Sequence, residues 1–378
     1  MQAVEQELEQ ILSEPIASVI ERERSAFDQL LRQHGEKVVL FGAGKLGGRV
    51  LGCLRSIGIE PLAFSDNDSR IWNTKIEGLP VVPPRVAAER FGKGALFIVT
   101  IWNPAHWFTE TASALNALGC RHVVPPFPIY WKFSDVFLHF YAQDLPRNVY
   151  EQSSDVLKAV EVWADEQSRK EYLRQIRWRA LGEWTFTRPE GQESYFLDDV
   201  FQLLPDEVFM DCGAFDGDTI SAVLSRQHGQ FRHIIAIEPD PSTFSKLQSY
   251  VSGLPDEIRQ KISPVQCAIS GQRERIMLQD VRVDAFPLPD VLNGFGPVTF
   301  IKMDIEGAEF GALTGGRDVI QRDRPTLAIC VYHTPNDLWR IPLLMQQLLP
   351  EHRMYLRCYE GDGWQTVAYA VLRERVLC

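Results

Sequence analysis

Short apolar runs separated by amphipathic stretches dominate the second half of the chain. Five of these runs predict buried parallel strands, because strands covered by helices on both faces lack a polar alternation; they lie at residues 208–212, 233–238, 263–269, 298–303 and 325–332. Two more runs, 353–359 and 366–371, flank a Gly-rich joint and predict a hairpin whose last strand inserts antiparallel. Residues 206–378 are therefore predicted to form a doubly wound α/β sheet of seven strands.

The first half carries a smaller α/β pattern between two helical segments. Residues 35–130 contain four apolar runs that predict strands, at 38–41, 61–64, 95–100 and 122–124. Residues 1–34 show apolar positions at helical spacing, broken by Pro15, and are either an oligomerisation arm or a helix packed on the next domain.

Residues 131–205 are mainly helical, notably 155–181, and are interpreted as a linker that covers the active site. Its aromatic residues either line an acceptor pocket or pack in the core: Trp184, Phe186, Tyr195 and Phe196.

An acidic glycine turn follows the first strand of the second half. It reads Asp211-Cys212-Gly213-Ala214-Phe215-Asp216-Gly217-Asp218-Thr219. A strand, a glycine turn and a helix start form the entrance of a nucleotide-binding sheet. Phosphate favours a helix start without acids, so Asp216 and Asp218 indicate a ligand that carries an ammonium and a sulfonium group. Glu238 ends the next strand, roughly 20 residues past the turn, where a carboxylate accepts ribose hydroxyls. Together these features predict S-adenosylmethionine and methyl transfer.

Charged residues also crowd the end of the strand predicted at 298–303. They are Lys302, Asp304, Glu306 and Glu309. Ligands of open α/β sheets bind outside the carboxyl ends of the strands, and charges are costly to bury there without a purpose. The alternative is an exposed turn held by salt bridges.

These segments resemble the FkbM family of S-adenosylmethionine-dependent methyltransferases, from about residue 195 to about residue 372. The residues that carry the resemblance include the glycine turn, Glu238-Pro239, Asp284 before a helix, and the specific string Lys302-Met303-Asp304-Ile305-Glu306-Gly307-Ala308-Glu309. The resemblance implies a class I methyltransferase fold and O-methylation of a sugar or another small hydroxylated metabolite, related to glycans or nucleotide sugars. Substrates vary widely within the family, so the acceptor does not carry over.

Roles for individual residues follow from this interpretation. Gly213 lets the backbone approach the cofactor, Asp211 places its ammonium group, Glu238 holds the ribose, and Cys267 and Ala268 border the adenine. The remaining predicted cofactor residues are Ala214, Asp218, Thr219 and Pro239.

The general base is predicted to be Asp304 or Glu306, with His333 as the rival because a neutral histidine is the better base at pH 7. Lys302 either lowers the pKa of the acceptor hydroxyl or pairs with Glu306. A core histidine is the alternative for His333. No metal is required.

A second glycine turn follows the strand predicted at 38–41. It contains Gly42, Gly44, Lys45 and Gly47, and Asp66 follows at the distance expected for a dinucleotide site. This stretch resembles the small nucleotide-binding, Rossmann-like domains attached to sugar-modifying enzymes. Either it binds a nucleotide or nucleotide sugar, or it only packs or dimerises. Two rival functions therefore stay open: a nucleotide-sugar-modifying or NAD-binding enzyme driven by this turn, and a cofactor-binding scaffold without catalysis.

Composition narrows these options. With 378 residues the chain has room for two domains, and its net charge of −11 argues against a nucleic-acid partner. Seven cysteines are scattered without metal-type pairs, which indicates reduced thiols. The first residues are acidic and no apolar run approaches the roughly 20 residues of a membrane span, so we expect a cytoplasmic protein. The oligomeric state, including a homodimer, stays open.

Overall fold

The computed structural model describes residues 2–188, 194–278 and 280–377. Cys378 lies outside these ranges, as do residues 189–193 of the predicted cover. The six strands of the first unit are β1 Val38–Phe41, β2 Ala63–Ser65, β3 Lys75–Ile76, β4 Leu79–Val82, β5 Leu96–Val99 and β6 His122–Val124. Those of the second unit are β7 Val208–Cys212, β8 His233–Ile237, β9 Ile262–Val265, β10 Ala268–Ile269, β11 Glu274–Leu278, β12 Val281–Phe286, β13 Phe300–Met303, β14 Thr326–Cys330, β15 His352–Cys358 and β16 Thr366–Leu372.

Helices precede, connect and cover these strands. In the first half they are α1 Gln2–Leu12, α2 Ile16–His34, α3 Lys45–Ser56, α4 Pro84–Phe91, α5 Phe108–Ala117, α6 Phe127–Lys132, α7 Ser134–Phe137, α8 Arg147–Glu151, α9 Ser153–Glu161 and α10 Glu166–Leu181. In the second half they are α11 Asp218–Gln227, α12 Pro241–Ser252, α13 Asp256–Arg259, α14 Leu288–Val291, α15 Glu309–Gly315, α16 Arg317–Asp323 and α17 Asp337–Leu348.

The second unit is a seven-stranded sheet in the order β15-β16-β14-β13-β7-β8-β9. The five neighbouring strands β14, β13, β7, β8 and β9 run parallel to one another. Only β16 is antiparallel to its neighbours, β14 and β15. The strand order reverses direction between β7 and β13, so the segments that follow these two strands diverge and leave a crevice at their carboxyl ends. The prediction of a seven-stranded α/β sheet with a reversed closing hairpin is confirmed.

The first unit is a six-stranded sheet in the order β3-β4-β2-β1-β5-β6. All neighbours are parallel except β3 and β4, a short antiparallel pair that the apolar pattern did not predict. The strands are short, and β3 has no fully buried residue, so its signal in the sequence was weak. The predicted domain boundaries remain predictions.

Apolar side chains on the two faces of the second sheet belong to different cores. Phe209 and Phe300 lie on one face, in a core that continues into Val38 and Leu40 of the first unit. Met210 and Ile301 lie on the opposite face, in a core shared with Leu8 and Val19 of the two N-terminal helices. The N-terminal helices therefore pack on their own chain, against the second unit, and the oligomerisation alternative stays a prediction.

Three predicted elements differ from the structure. The run 263–269 is two strands, because β9 ends at Val265 and β10 leaves the main sheet to pair with β12. The helical run 155–181 is divided by Asp165, which accepts a hydrogen bond from Ser168 N (2.7 Å) and so starts α10. Asp284 does not precede a helix directly but lies inside β12. None of the helices in the described ranges combines the length and apolar character needed to cross a membrane.

Phe300 tests the central core of the second unit. Its side chain is buried, and its ring centroid lies 5.0 Å from that of Phe209. Phe300→Ala is expected to lower the free energy of unfolding by about 3–5 kcal/mol, because the lost apolar contacts leave a cavity. Urea denaturation measures this change, with Met277→Ala, at an exposed position, as the control that stays within about 0.5 kcal/mol. A loss below about 1 kcal/mol would contradict the assigned packing.

Candidate active site

The glycine turn after β7 brings two backbone segments into contact. Gly213 has φ +83°, and a Cβ atom there would lie 2.0 Å from the carbonyl oxygen of Asp304. Gly217 has φ +100°, and its Cβ would lie 2.5 Å from the Tyr250 ring. Only glycine satisfies both conditions, a left-handed backbone and no room for a side chain. The turn is thereby held against the end of β13.

An ion pair lies beneath this turn. Lys302 is directly opposite Asp211 in the β13–β7 register, and its Nζ lies 3.0 Å from Asp211 Oδ1. The same ammonium donates to the carbonyl oxygen of Gly213 (2.6 Å). Burial lowers the pKa of Lys302, but Asp211 and Asp304 outweigh it, so the pKa lies above its ordinary value and the residue stays charged.

This geometry corrects two predictions. The first is that Asp211 places the cofactor ammonium group. The second is that Lys302 pairs with Glu306, one of the two roles predicted for this lysine. Asp211 is fully buried and does not reach the cleft, because Lys302 holds it under the turn. Ala214 is also fully buried and does not line the cleft.

Glu238 ends β8 at the rim of the turn. Its Oε2 accepts from Phe215 N (3.1 Å) and its Oε1 from Asp240 N (2.9 Å). Burial raises the pKa of Glu238, and the two backbone donors oppose this shift. Each carboxylate oxygen keeps acceptor capacity beyond its one backbone donor, and both border the cleft.

A cleft of about 880 Å³ runs from Glu238 to Asp304 along the carboxyl ends of the strands. Its volume is that of a site for a drug-sized or nucleoside-sized ligand. Most of the predicted site residues line it: Gly213, Asp218, Thr219, Glu238, Pro239, Cys267, Ala268, Lys302, Asp304 and Glu306. Tyr195 and Phe196 also line it, whereas Trp184 and Phe186 pack elsewhere, around Trp178.

Asp304 accepts from several donors at one end of the cleft. Tyr195 Oη donates to its Oδ2 (2.7 Å), while Tyr332 Oη (3.3 Å) and His333 Nε2 (3.1 Å) approach its Oδ1. Burial opposes ionisation of this carboxyl. The His333 and Lys302 cations outweigh that effect and hold the pKa of Asp304 well below its ordinary range. Asp304 is therefore a fixed anion, and a carboxylate of such low pKa is a poor general base.

His333 lies behind Asp304, between two carboxylates. Its Nδ1 is 2.8 Å from Glu309 Oε1 and its Nε2 faces Asp304. Burial lowers the pKa of His333, but the two carboxylates raise it further, to about 10. The two carboxylates therefore favour the imidazolium at pH 7, which argues against His333 as a neutral general base, and its role stays a prediction.

The same three residues bring potential metal ligand atoms within 4.8 Å of one another. However, each ring nitrogen faces a different carboxylate, and a metal ligand must present a deprotonated nitrogen to the ion. The arrangement therefore favours a protonated imidazole that is hydrogen-bonded to Glu309 and forms an ion pair with Asp304.

Glu306 is the most exposed carboxylate at this end. Its side chain is 69% exposed, and its Oε2 lies 3.9 Å from His333 Nε2. Its backbone has φ +54°, and Gly307 follows at φ +100°, so the turn projects the carboxylate away from the strand. Burial raises the pKa of the neighbouring Tyr141, and the negative charge of Glu306 is the second cause of that shift.

Other residues of the site were not predicted as such. Tyr332, Glu360 and Gln365 line the cleft, and Tyr141 lies beside Glu306. Gln365 Oε1 accepts from Tyr195 Oη (3.0 Å). These residues come from distant segments of the chain. Only Tyr332 had a signal in the sequence, because it follows a predicted strand and precedes His333.

The first unit repeats the carboxylate geometry of Glu238. Asp66 Oδ2 accepts from Ala43 N (2.8 Å) and its Oδ1 from Asp68 N (2.8 Å). In both units the carboxylate residue lies 23 positions after the residue of the first donor and two positions before that of the second. Gly42 and Gly47 are required by close backbone contacts, whereas Gly44 and Lys45 are exposed and a Cβ on Gly44 would meet nothing within 4 Å.

The sheet order, the reversed hairpin and the acidic glycine turn define a class I methyltransferase fold. Residues 211–361 match the family described as methyltransferase FkbM domain, so this part of the chain is a methyltransferase domain of that type. The structure is similar to that of methyltransferase FkbM from Methylobacillus flagellatus KT, with a TM-score of 0.76 and 19% identity, covering 94% of this chain and 99% of that one. The shared fold thus includes the first unit.

Other solved structures are similar over smaller parts. A precorrin-6y methyltransferase from Geobacter metallireducens GS-15 has a TM-score of 0.30 and 13% identity, covering 46% of this chain and 83% of that chain. Fibrillarin from Aeropyrum pernix, in complex with S-adenosyl-L-methionine, has a TM-score of 0.29 and 13% identity, covering 45% and 69%. A search of curated proteins gave no match.

The charge of His333 can be measured directly. We expect the ¹⁵N shifts of its ring to remain those of an imidazolium through pH 8 and to titrate near pH 10, assigned with His333→Gln. Because the folded pKa lies above the ordinary 6.5, the imidazolium stabilises the fold fully below pH 6.5, and this stability is lost as the pH rises through 10. Titration near pH 6.5 would contradict the two-carboxylate arrangement.

Proposed function

We propose that the protein is an S-adenosylmethionine-dependent O-methyltransferase that acts on a hydroxyl of a small metabolite, a sugar or a similar polyol. The observation that carries this proposal is the single cleft that joins Glu238 at one end to Asp304 and Glu306 at the other. One end suits a ribose and the other suits a hydroxylated acceptor.

The residues present fit the cofactor. Glu238 offers acceptor capacity to two ribose hydroxyls, and the open turn at Gly213 lets a ligand contact the backbone. Asp218 lines the same cleft as Gly213, and its negative charge suits a ligand ammonium group. Cys267 and Ala268 would border the base, beneath Ile276 and Leu278 of the small sheet. When bound, the cofactor supplies a methyl group activated on a sulfonium.

The acceptor end divides two tasks between two carboxylates. Asp304 is a half-buried anion whose position is fixed by Tyr195, Tyr332 and His333, and it orients the acceptor by charge and hydrogen bonding. Glu306 is exposed, so it can take the hydroxyl proton and pass it to water. Environment sets these roles, because donors and cations surround one carboxylate and solvent surrounds the other.

Two variants separate binding from turnover. Glu238→Ala is expected to abolish binding of S-adenosylhomocysteine in calorimetric titration, since the ribose loses its acceptor. Glu306→Gln is expected to keep that binding and to lower kcat by about 10²- to 10⁴-fold, the usual contribution of a general base. Glu257→Gln, the same change at an exposed position, serves as the control.

Failure of the folded wild type to bind S-adenosylhomocysteine would refute the cofactor assignment. Methylated amines but no methyl ethers among the products would refute O-methylation.

The repeated carboxylate geometry favours a second candidate function, nucleotide binding by the first unit. Asp66 is held as Glu238 is held, and the adjacent turn offers Lys45 and no acid, so a phosphate is tolerated there. ADP, UDP or NAD would then bind with its ribose at Asp66.

Calorimetric titration of ADP, UDP and NAD checks this. We expect one of them to bind the wild type, to bind Asp66→Ala at least tenfold more weakly, and to bind Glu238→Ala unchanged. If none binds, or if Asp66→Ala has no effect, the turn of the first unit serves packing alone.

A further inference from the structure

The acceptor end of the cleft carries an excess of negative charge. Two cations, Lys302 and His333, lie there, and each is buried against carboxylates. Five carboxylates surround them: Asp211, Asp304, Glu306, Glu309 and Glu360. The local balance is therefore three negative charges, and no other cationic side chain among the described residues lines the cleft.

Glu360 contributes most directly to this imbalance. It lines the cleft, and no described side chain forms an ion pair or hydrogen bond with its carboxylate. Its side chain is half-buried, and this burial together with the like charge of the neighbouring Asp304 raises its pKa. A half-buried carboxylate without a partner is costly unless a ligand supplies the missing charge.

An aromatic ring also lines this end of the cleft, that of Tyr332, whose hydroxyl lies 3.3 Å from Asp304 Oδ1. Trp364 contacts Tyr141 (4.4 Å between centroids) and Tyr332 (5.4 Å). Trp102, which follows β5 of the first unit, reaches Trp364 at 6.1 Å and is 52% exposed. A cation gains from carboxylates and from aromatic faces together, as in sites that recognise ammonium groups.

We propose that the acceptor carries an ammonium group beside its hydroxyls, as an amino sugar or aminocyclitol does, and that this group binds at Glu360, near Asp304 and the Tyr332 ring. This inference rests on the proposed function, since it identifies the acceptor of that reaction. A phosphorylated or nucleotide-linked acceptor would bring further negative charge to a place that already holds an excess, so it is disfavoured in this cleft.

A matched pair of probes tests the charge requirement. 2-Deoxystreptamine is a hydroxylated diamine, and its di-N-acetyl derivative keeps the hydroxyls but loses both charges. Binding is measured by titration calorimetry and tryptophan fluorescence, with and without S-adenosylhomocysteine. We expect the diamine to bind at least tenfold more tightly than the acetylated form, and glucose 6-phosphate not to bind.

Variants locate the contact. Glu360→Gln breaks no described hydrogen bond and is expected to weaken diamine binding about tenfold without changing that of S-adenosylhomocysteine. Glu257→Gln, the same change at an exposed position, is the matched control. The proposal is supported if Glu360→Gln binds the diamine more weakly and if salt lowers the affinity of the wild type for the diamine more than for the acetylated form.

The proposal is overturned if the diamine does not bind, if both probes bind equally, or if Glu360→Gln leaves diamine binding unchanged. Failure of the proposed function is distinguishable from these results, because it appears as absent binding of S-adenosylhomocysteine. Diamine binding that persists without S-adenosylhomocysteine binding would leave the ammonium site standing and refute the methyltransferase role of the cleft.

Discussion

The ion pair between Lys302 and Asp211 is the interaction on which the methyltransferase site depends. It joins the two central strands at their carboxyl ends, and Lys302 also holds the carbonyl oxygen of Gly213. Removal of one partner from a buried pair costs about 3–5 kcal/mol, because the other charge stays desolvated. The pair therefore ties the shape of the glycine turn to the position of Asp304, whose carbonyl oxygen packs against Gly213.

A second charge arrangement acts on the other side of Asp304. His333 is an imidazolium because Glu309 and Asp304 face its two nitrogens, and its charge keeps Asp304 ionised. The two buried cations thus keep Asp304 ionised, whereas the side chain of Glu306 is exposed, which is why we propose Glu306 as the base. Environment separates the roles of two carboxylates that lie two residues apart in the chain.

The first unit packs against the closing hairpin of the second unit. Its loop after β5 packs so closely on the closing hairpin that a Cβ on Gly361 would lie 2.2 Å from the carbonyl oxygen of His106. The same loop places Trp102 beside Trp364. Contact between the units therefore holds the hairpin that carries Glu360 and Gln365, two residues of the cleft lining.

The sequence alone determined most of the sheet and the cofactor end of the cleft. Continuous apolar runs located β1, β6 and β7 at their observed bounds, and the glycine turn with Glu238 lies on consecutive strand–turn–helix units, where local spacing controls geometry. The acceptor end was decided by tertiary structure. Tyr195, Tyr332 and Glu360 come together there from distant segments, and a local sequence pattern does not predict contacts between distant segments. The charge of His333 likewise depends on two carboxylates brought to it by the fold, and a pKa is a property of surroundings rather than of residue type.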